Sequence, residues 1–577
     1  MKKFTFLLSL LLAFVGVTAS AQGLKISDAP EGENWAANTQ WYLIRVALTD
    51  GYHPYAAYLN TESRNGNGLL LTDVTVPTTD KGLWCIVGND ADGYKLYNKG
   101  EGTSKVLGVG SWAKMYDVTG SEDVTKSFDF ANSTATANAK CVKFHGKTDG
   151  DYWWNNNDGA GAGACHLSYW KDAERSTVAT SGNAFYFIPV TSSENAEWET
   201  SVFWGTTKVD RFKIIPGVSE ACSNELSAWD ANKTKENEAA FVSKLGEYLN
   251  KTYYRITNCK DDHKVLAADN TKAACVDNTQ KMSNASTLWK LIPFEDRGVK
   301  LYNANVEAYL AGLVAPPSDQ SNPVTPMNAD KTQGGLYNIS VNTNENVKGF
   351  VLRDGDNHRM NIENGGGIDY WEGQSGYYKQ VTWTIEVANE LEVALNTVNG
   401  KSYATTYLPV GVRAVKDAKA YVAAVPENNE TVMTEAASFG AKTGVLLVSD
   451  NAAEKAVLTI GDGTSVESAL SGTLLAKDIT NSQTNYLVFG KNKDNANEVG
   501  FFEPSTSVTS IPANRAFFEG VASAAIALNF GGNVTAIDQV VNNANVNAPI
   551  FDLTGRRVVK AVKGGLYIQN GKKYIVK

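Results

Sequence analysis

Any chemistry this chain performs has to come from a short set of residues. It holds five histidines, His53, His145, His166, His263 and His358, and no two of them fall at a metal-holding spacing such as HExxH. There is no GxSxG elbow, no Walker loop and no dinucleotide-binding glycine pattern. Cys165 and His166 are adjacent, but a nucleophile and its base meet in space rather than in sequence. The run Asn89-Asp90-Ala91-Asp92-Gly93 has acids for calcium but lacks the twelve-residue ligand pattern, and its Asp-Gly reads as a hairpin turn. A glycosidase needs two carboxylates flanking a sugar, and the 62 acidic residues contain no motif that singles out a pair. The expectation is therefore no catalytic residue, no metal ligand and no cofactor.

Carbohydrate binding asks for residues the chain does have. A flat aromatic stacks on the apolar face of a pyranose while Asp and Asn fix the hydroxyls, and both must sit on rigid loops or strands. Candidates are Asp151, Trp153, Trp154 and Asn155 in one stretch, Trp170 beyond it, and Asp369, Tyr370 and Trp371 much later. Neighbours on a strand point to opposite faces, so at least one of Trp153 and Trp154 is expected to face outward. The alternative for Trp170 and Trp371 is a core role, because both occupy the same closing position of a repeat.

That repeat is the element that must position them. GLWCIVGNDADGYKLYN at residues 82–98 returns as TLWKLIPFEDRGVKLYN at 287–303. Trp84 matches Trp289, Gly93 matches Gly298, and the string Lys-Leu-Tyr-Asn recurs, all at an offset of 205. Self-similarity at this spacing means a duplicated module. The far ends agree as well: His166-Leu167-Ser168-Tyr169-Trp170 parallels Gly367-Ile368-Asp369-Tyr370-Trp371. If Cys165 and His166 were catalytic, the second copy would be dead. The modules are read as residues 34–190 and 251–389. Each contains short apolar bursts bounded by Asn, Gly and Asp, the pattern of an all-β unit.

At 577 residues the chain should split into several domains. A net charge of −9 argues against a nucleic-acid partner. Residues 1–21 read as an export signal, with Lys2 and Lys3, an apolar run over 4–17, and Ala19-Ser20-Ala21 as the cleavage site. An extracellular or outer-surface location follows, with the periplasm as the alternative. No later stretch is long and apolar enough for a transmembrane segment. All six cysteines, Cys85, Cys141, Cys165, Cys222, Cys259 and Cys275, fall in the first half of the chain. They are either disulfides, which export permits, or buried free thiols.

Residues 191–250 read as a linker whose one helix spans about 235–249, with Ala239, Val242, Leu245 and Leu249 on one stripe. Period-two strands between 390 and 532 indicate a β-sandwich. A polar linker, 533–548, leads to a small strand unit at 549–577.

Three resemblances add to this. Within each module, three cycles of strands ending on an aromatic, as at Trp84, Trp289 and Trp383, resemble the ricin-type β-trefoil family. The Gln of that family's Gln-x-Trp ending is missing while the Trp is kept, so the resemblance implies the core more than the sugar site. The pieces YATTYLP, AKTGVLL, NYLVFG, VGFFEP and IPANRAFFE resemble an accessory sandwich domain of secreted proteins in Bacteroidetes-type bacteria. GRR at 555–557 and GLYI at 565–568 resemble the C-terminal sorting domains of type IX secretion substrates in the same bacteria, which implies contact with export machinery.

The expected fold class is all-β: two tandem β-trefoil-like modules, a helical linker, a sandwich and a C-terminal strand unit. The expected partner is a glycan or glycoprotein. The rivals are an adhesion or scaffold protein without a sugar site and a carboxylate-dependent glycoside hydrolase.

Overall fold

The stretch that the chain repeats folds into a hairpin in both copies. The computed structural model pairs Trp84–Asn89 with Gly93–Asn98, and Trp289–Phe294 with Gly298–Asn303, each antiparallel. It describes residues 23–575 apart from 48–56, 66–67, 73–74, 111, 135, 148–151, 159–164, 172–182, 261, 295–297, 317–322, 345, 355–357, 364, 373–378, 481, 494, 496, 531–548, 553–555, 559–561, 564 and 570–571.

The repeated residues have identifiable duties. Trp84 and Trp289 are fully buried, and their indole N–H groups donate to the carbonyls of Leu59 and Leu266, each at 2.9 Å. Asn98 and Asn303 stand directly opposite them in the hairpins. Each amide donates back to the turn before the Trp strand, to the Lys81 carbonyl at 2.8 Å and the Ser286 carbonyl at 2.7 Å. Each amide oxygen also accepts from the backbone of the turn that follows. One buried side chain thus satisfies two turns, the requirement for any buried polar group. The repeated glycine has two different reasons to be there. Gly93 takes φ +76° and lies against His145, whereas a Cβ on Gly298 would come within 2.3 Å of the Tyr337 carbonyl oxygen. The Asn89–Asp92 turn is the expected hairpin turn: Asn89 Oδ1 accepts from the Ala91 and Asp92 N–H groups.

The chain divides into two compact units, residues 1–248 and 249–577. In the first, six strands close a ring: Trp41–Val46, Trp84–Asn89, Gly93–Asn98, Phe128–Asn132, Lys140–Phe144 and Ala184–Val190. Three hairpins alternate with ring strands along the chain, Tyr58–Asn65 with Gly68–Thr72, Lys105–Val109 with Ala113–Asp117, and Tyr152–Asp158 with Cys165–Lys171. The second unit repeats this plan. Its ring is Tyr254–Asn258, Trp289–Phe294, Gly298–Asn303, Tyr337–Val341, Phe350–Asp354 and Trp383–Val387. Its hairpins are Val265–Ala268 with Ala273–Val276, Ala308–Leu310 with Met327–Asn328, and His358–Ile362 with Ile368–Trp371. Closure leaves a ring without a free edge. Every second ring strand carries a fully buried aromatic at or next to its start: Trp84, Phe128, Phe185, Trp289, Tyr337 and Trp383. Six ring strands and three hairpins thus recur in each ring unit, an all-β build.

The segment after the first ring is more helical than its sequence suggests. It holds helices Ala196–Trp204, Lys208–Phe212, Val218–Ala221, Ser223–Ala231 and Lys235–Lys251, where the periodicity points to the last alone. The buried stripe of that last helix is Phe241, Leu245 and Leu249, while Ala239 is exposed. The four shorter helices carry little apolar periodicity, which is why pattern reading passes over them.

The region expected to be a β-sandwich has three layers. A ten-stranded sheet runs in the order Asn396–Val398, Lys401–Thr406, Val445–Ser449, Lys419–Ala423, Glu430–Glu435, Ala525–Asn529, Val499–Phe502, Tyr486–Lys491, Arg515–Glu519, Ser471–Thr473. Its two halves face each other across a core of Met433, Leu446, Val448, Leu487, Phe501 and Phe518. The other face of the first half packs, through Val445 and Leu447, into a second core with the three-stranded sheet Glu390–Ala394, Lys455–Ile460, Val412–Lys416. The all-apolar run at Val445 follows from this: its strand is buried on both faces. Ala285, Leu288 and Ala304 of the second ring's unit join that same core. The C-terminal unit is a four-stranded sheet, Arg557–Val558, Ile550–Asp552, Leu566–Gln569 and Lys572–Ile575.

Cys85, Cys141, Cys222, Cys259 and Cys275 are free thiols. Burial pushes Cys85 up to about 12 and Cys141 up to about 11, so neither supplies a thiolate at neutral pH. Among the described residues no helix is long and apolar enough to cross a membrane, and no group of metal-ligating side chains converges.

Candidate functional site

The candidate residues gather on the third hairpin of each ring unit. In the first, Trp153 stands opposite Trp170 and Asn155 opposite Ser168. In the second, Arg359 stands opposite Trp371 and Asn361 opposite Asp369. Cross-strand partners share a face, so each hairpin carries on its outer face a Trp, a buried Asn and a polar partner for that Asn. The opposite face feeds the core, through Trp154 and Leu167 in one unit and Met360 and Ile368 in the other.

The structure corrects the expectation for Trp153 and Trp154. Both are buried, at 4% and 0% exposure. Trp154 enters the ring core and meets Phe128 and Phe185 edge-on. Trp153 faces the other way, but a second small core of Ala139, Cys141 and Ala184 covers it. Alternation holds along the strand; the strand is covered on both sides. The core alternative for Trp170 also gives way, since its side is 43% exposed. Trp371 is half-buried. Asn155 is buried, and Asp151 lies outside the described residues.

Asp369 is fully buried rather than presented to solvent. Its Oδ1 accepts from Asn361 Nδ2 at 2.8 Å, and the same amide donates to Glu363 Oε1 at 2.9 Å. Burial pushes the Asp369 carboxyl up to about 6; the Asn361 amide opposes the shift and the Glu363 charge adds to it. This trio ties the two strands of the hairpin to its turn on the outer face. Tyr370 stacks flat on His358, with ring centres 3.7 Å apart and planes 9° apart, and His358 Nε2 lies 3.2 Å from Glu372 Oε1. Sequence reading does not find His358, whose only signal is its position across the strand pair from Glu372.

On the first hairpin, an aromatic chain supports the base of Trp170's strand. Tyr169 meets Tyr152 at 5.2 Å, and Tyr152 stacks on Phe144 at 5.7 Å. Lys171 lies 5.4 Å from the Tyr152 ring. His166, on the Trp170 face, sits 3.9 Å from the Trp112 ring. The Trp170 ring is thus displayed on a strand that packed aromatics fix from beneath.

No protein-family model matches the chain, and no curated protein matches it. Among solved structures it is similar to a mosquitocidal holotoxin, at 12% identity and a TM-score of 0.27, over 86% of this chain and 52% of that one. The chain thus spans about half the length of that toxin. It is also similar to a Macrolepiota procera ricin B-like lectin in complex with lactose, at 20% identity and a TM-score of 0.19, over 23% of this chain and 94% of that one. A GlcNAcα1-4Gal-releasing endo-β-galactosidase from Clostridium perfringens is similar at 10% identity and a TM-score of 0.19, over 63% of this chain and 70% of that one.

Proposed function

We propose that the protein is an exported, non-catalytic glycan-binding protein whose sugar sites are the outer faces of the two third hairpins. The observation that carries this reading is Trp170, which keeps 43% of its surface in solvent while Ser168, two residues before it on the same face, is buried. An exposed indole on a fixed strand is the platform a pyranose needs, at no entropic cost of ordering a loop. Trp371 occupies the equivalent place in the second unit. Two weak sites on one chain gain through multivalency on a surface of repeated glycans. Export rests on the leader-like residues 1–21, and the C-terminal sheet is the part proposed to meet the export machinery.

Catalysis by Asp369 and Glu363, the acid pair among the described residues of these hairpins, is disfavoured by its placement. Asp369 shares Asn361 with Glu363 and its side chain is buried, a poor position from which to protonate a glycosidic oxygen. A scaffold role is the second reading. It is favoured by the burial of Trp153, Asn155 and Asp369, which consumes polar groups that would otherwise hold sugar hydroxyls.

The test is a glycan-array screen of residues 22–577. Cutting at residue 389 is avoided because Leu391, Leu395 and Leu458 share a core with Leu288 and Ala304. Binding that Trp170→Ala weakens and Trp170→Ala with Trp371→Ala abolishes in a folded sample supports the lectin reading. A folded chain that binds no glycan assigns the protein to the scaffold class.

A further inference from the structure

The facing halves of the ten-stranded sheet enclose a cleft of about 590 Å³, within the range of small-molecule sites. Its apolar walls include Val398, Tyr403, Phe489 and Val508, and Thr405 and Ser510 also line it. Tyr403 and Phe489 pack on each other with ring centres 5.7 Å apart.

The charges in this cleft run against the rest of the chain. The protein has a net charge of −9, yet no aspartate or glutamate is among the described residues that line the cleft, while Arg515 and Lys491 both do. Arg515 is half-buried. Its Nη1 donates to the Thr405 carbonyl at 3.0 Å, which anchors one edge of the guanidinium. A guanidinium has five N–H donors in a planar fork, and no acid pairs with this one among the described residues. Desolvation weighs on its charge with nothing opposite to offset it. Lys491 is exposed and adds a second positive charge to the lining.

We propose that this cleft binds a small organic carboxylate carried on an apolar or aromatic body. The Arg515 fork pairs the two carboxylate oxygens, the geometry it fits best. The Tyr403, Phe489 and Val508 walls take the body of the ligand. This site lies on elements separate from the third hairpins and is independent of glycan binding there.

The test is isothermal titration of the full chain with three probes: 4-phenylbutyrate, its neutral amide 4-phenylbutyramide, and inorganic phosphate. The acid is expected to bind at least about tenfold tighter than the amide, as a charge-assisted bidentate pair requires. Arg515→Gln should erase that difference, the acid losing far more affinity than the amide. Because Arg515 also holds the Thr405 carbonyl, a second variant guards against misfolding. Lys491→Glu, at an exposed position, should weaken the acid by about threefold and spare the amide. Equal binding of acid and amide, absence of binding by the acid at millimolar concentration, or a preference that survives both variants would overturn the proposal. So would phosphate displacing the acid at equal concentration, which would make the cleft a general anion hole.

Discussion

The third hairpins of the two ring units solve one packing problem in opposite ways. In the first, the indole sits on the hairpin as Trp154 and the facing ring strand supplies Phe185, 5.7 Å away and edge-on. In the second, the indole sits on the ring strand as Trp383 and the hairpin supplies Met360. The large group has changed sides while the core stays filled. The polar outcome differs. Trp383 donates to the Met360 carbonyl at 3.0 Å, whereas the Trp154 N–H is buried with no acceptor among the described residues. The duplicated fold thus holds volume more strictly than it holds residue identity or hydrogen bonding. The outer faces differ in the same spirit: Ser168 sits in the slot that Asp369 fills, and only the second slot carries a titratable charge.

The equivalence of the two rings can be broken most forcefully at the repeated Trp. Trp84→Ala and Trp289→Ala should each cost roughly 3–5 kcal/mol, as truncations of fully buried indoles that also strand a carbonyl. Urea unfolding followed by circular dichroism reads both. A loss below about 1 kcal/mol at either site would mean that the two positions do not do the same work.

The difference between the slots predicts a pH signature. Folding raises the Asp369 pKa to about 6, above its unfolded value, so the folded chain binds its proton more tightly. Stability contributed by this group therefore falls as pH rises from about 4 to about 6, and the full penalty is present above that window. Asp369→Asn should stabilise the chain by up to about 2–3 kcal/mol at pH 7.5 and by little at pH 4. A gain independent of pH would show that the carboxyl is not the source.

The swapped indoles come next. Trp383→Phe should cost about 1–2 kcal/mol, because the Met360 carbonyl loses its donor. Trp154→Phe should cost less, since its N–H has no acceptor to lose. Thermal denaturation of the pair ranks them, and a larger loss at Trp154 would point to an acceptor outside the described residues. The smallest stability effect, within about 0.5 kcal/mol, is expected for Trp170→Ala on the exposed face. The same change should weaken glycan binding on an array to the level of the single Trp371 site.

Much of the architecture was legible because it is written in periodicity and duplication. Trp84, Gly93 and Asn98 announce a hairpin that the second copy repeats, and the structure gives each a packing or hydrogen-bonding reason. The all-β class, the hairpin at Asn89–Gly93 and the last linker helix follow from alternation, turn residues and the 3.6 period. The sites were legible only in part. Residue type placed Trp153 and Trp170 together, but exposure depends on what a neighbouring segment lays over each face, and that is set by tertiary structure. Trp153 is covered by Ala139, Cys141 and Ala184, residues too small and too distant in sequence to announce a lid. The third layer of the sandwich was hidden for the same reason. The apolar run at 445–448 reads as a buried strand, and nothing local says that both its faces are buried. Arg515 carried no sequence signal, because its meaning lies in the absence of acids around it.

The parallel pairing of Glu430–Glu435 with Ala525–Asn529 constrains when this part of the molecule can form. It joins position 430 to position 527, and it is the seam between the two halves of the ten-stranded sheet. Until a growing chain has been extended past residue 529, Met433 and Leu446 have no Ile526 to close against. Native pairing across so long a separation is slow, because the loop must be closed before its contacts contribute. The second half of the ten-stranded sheet therefore closes onto the other two layers late in synthesis, and a chain ending before residue 525 would present an unpaired strand edge at Glu430–Glu435 to every other nascent copy.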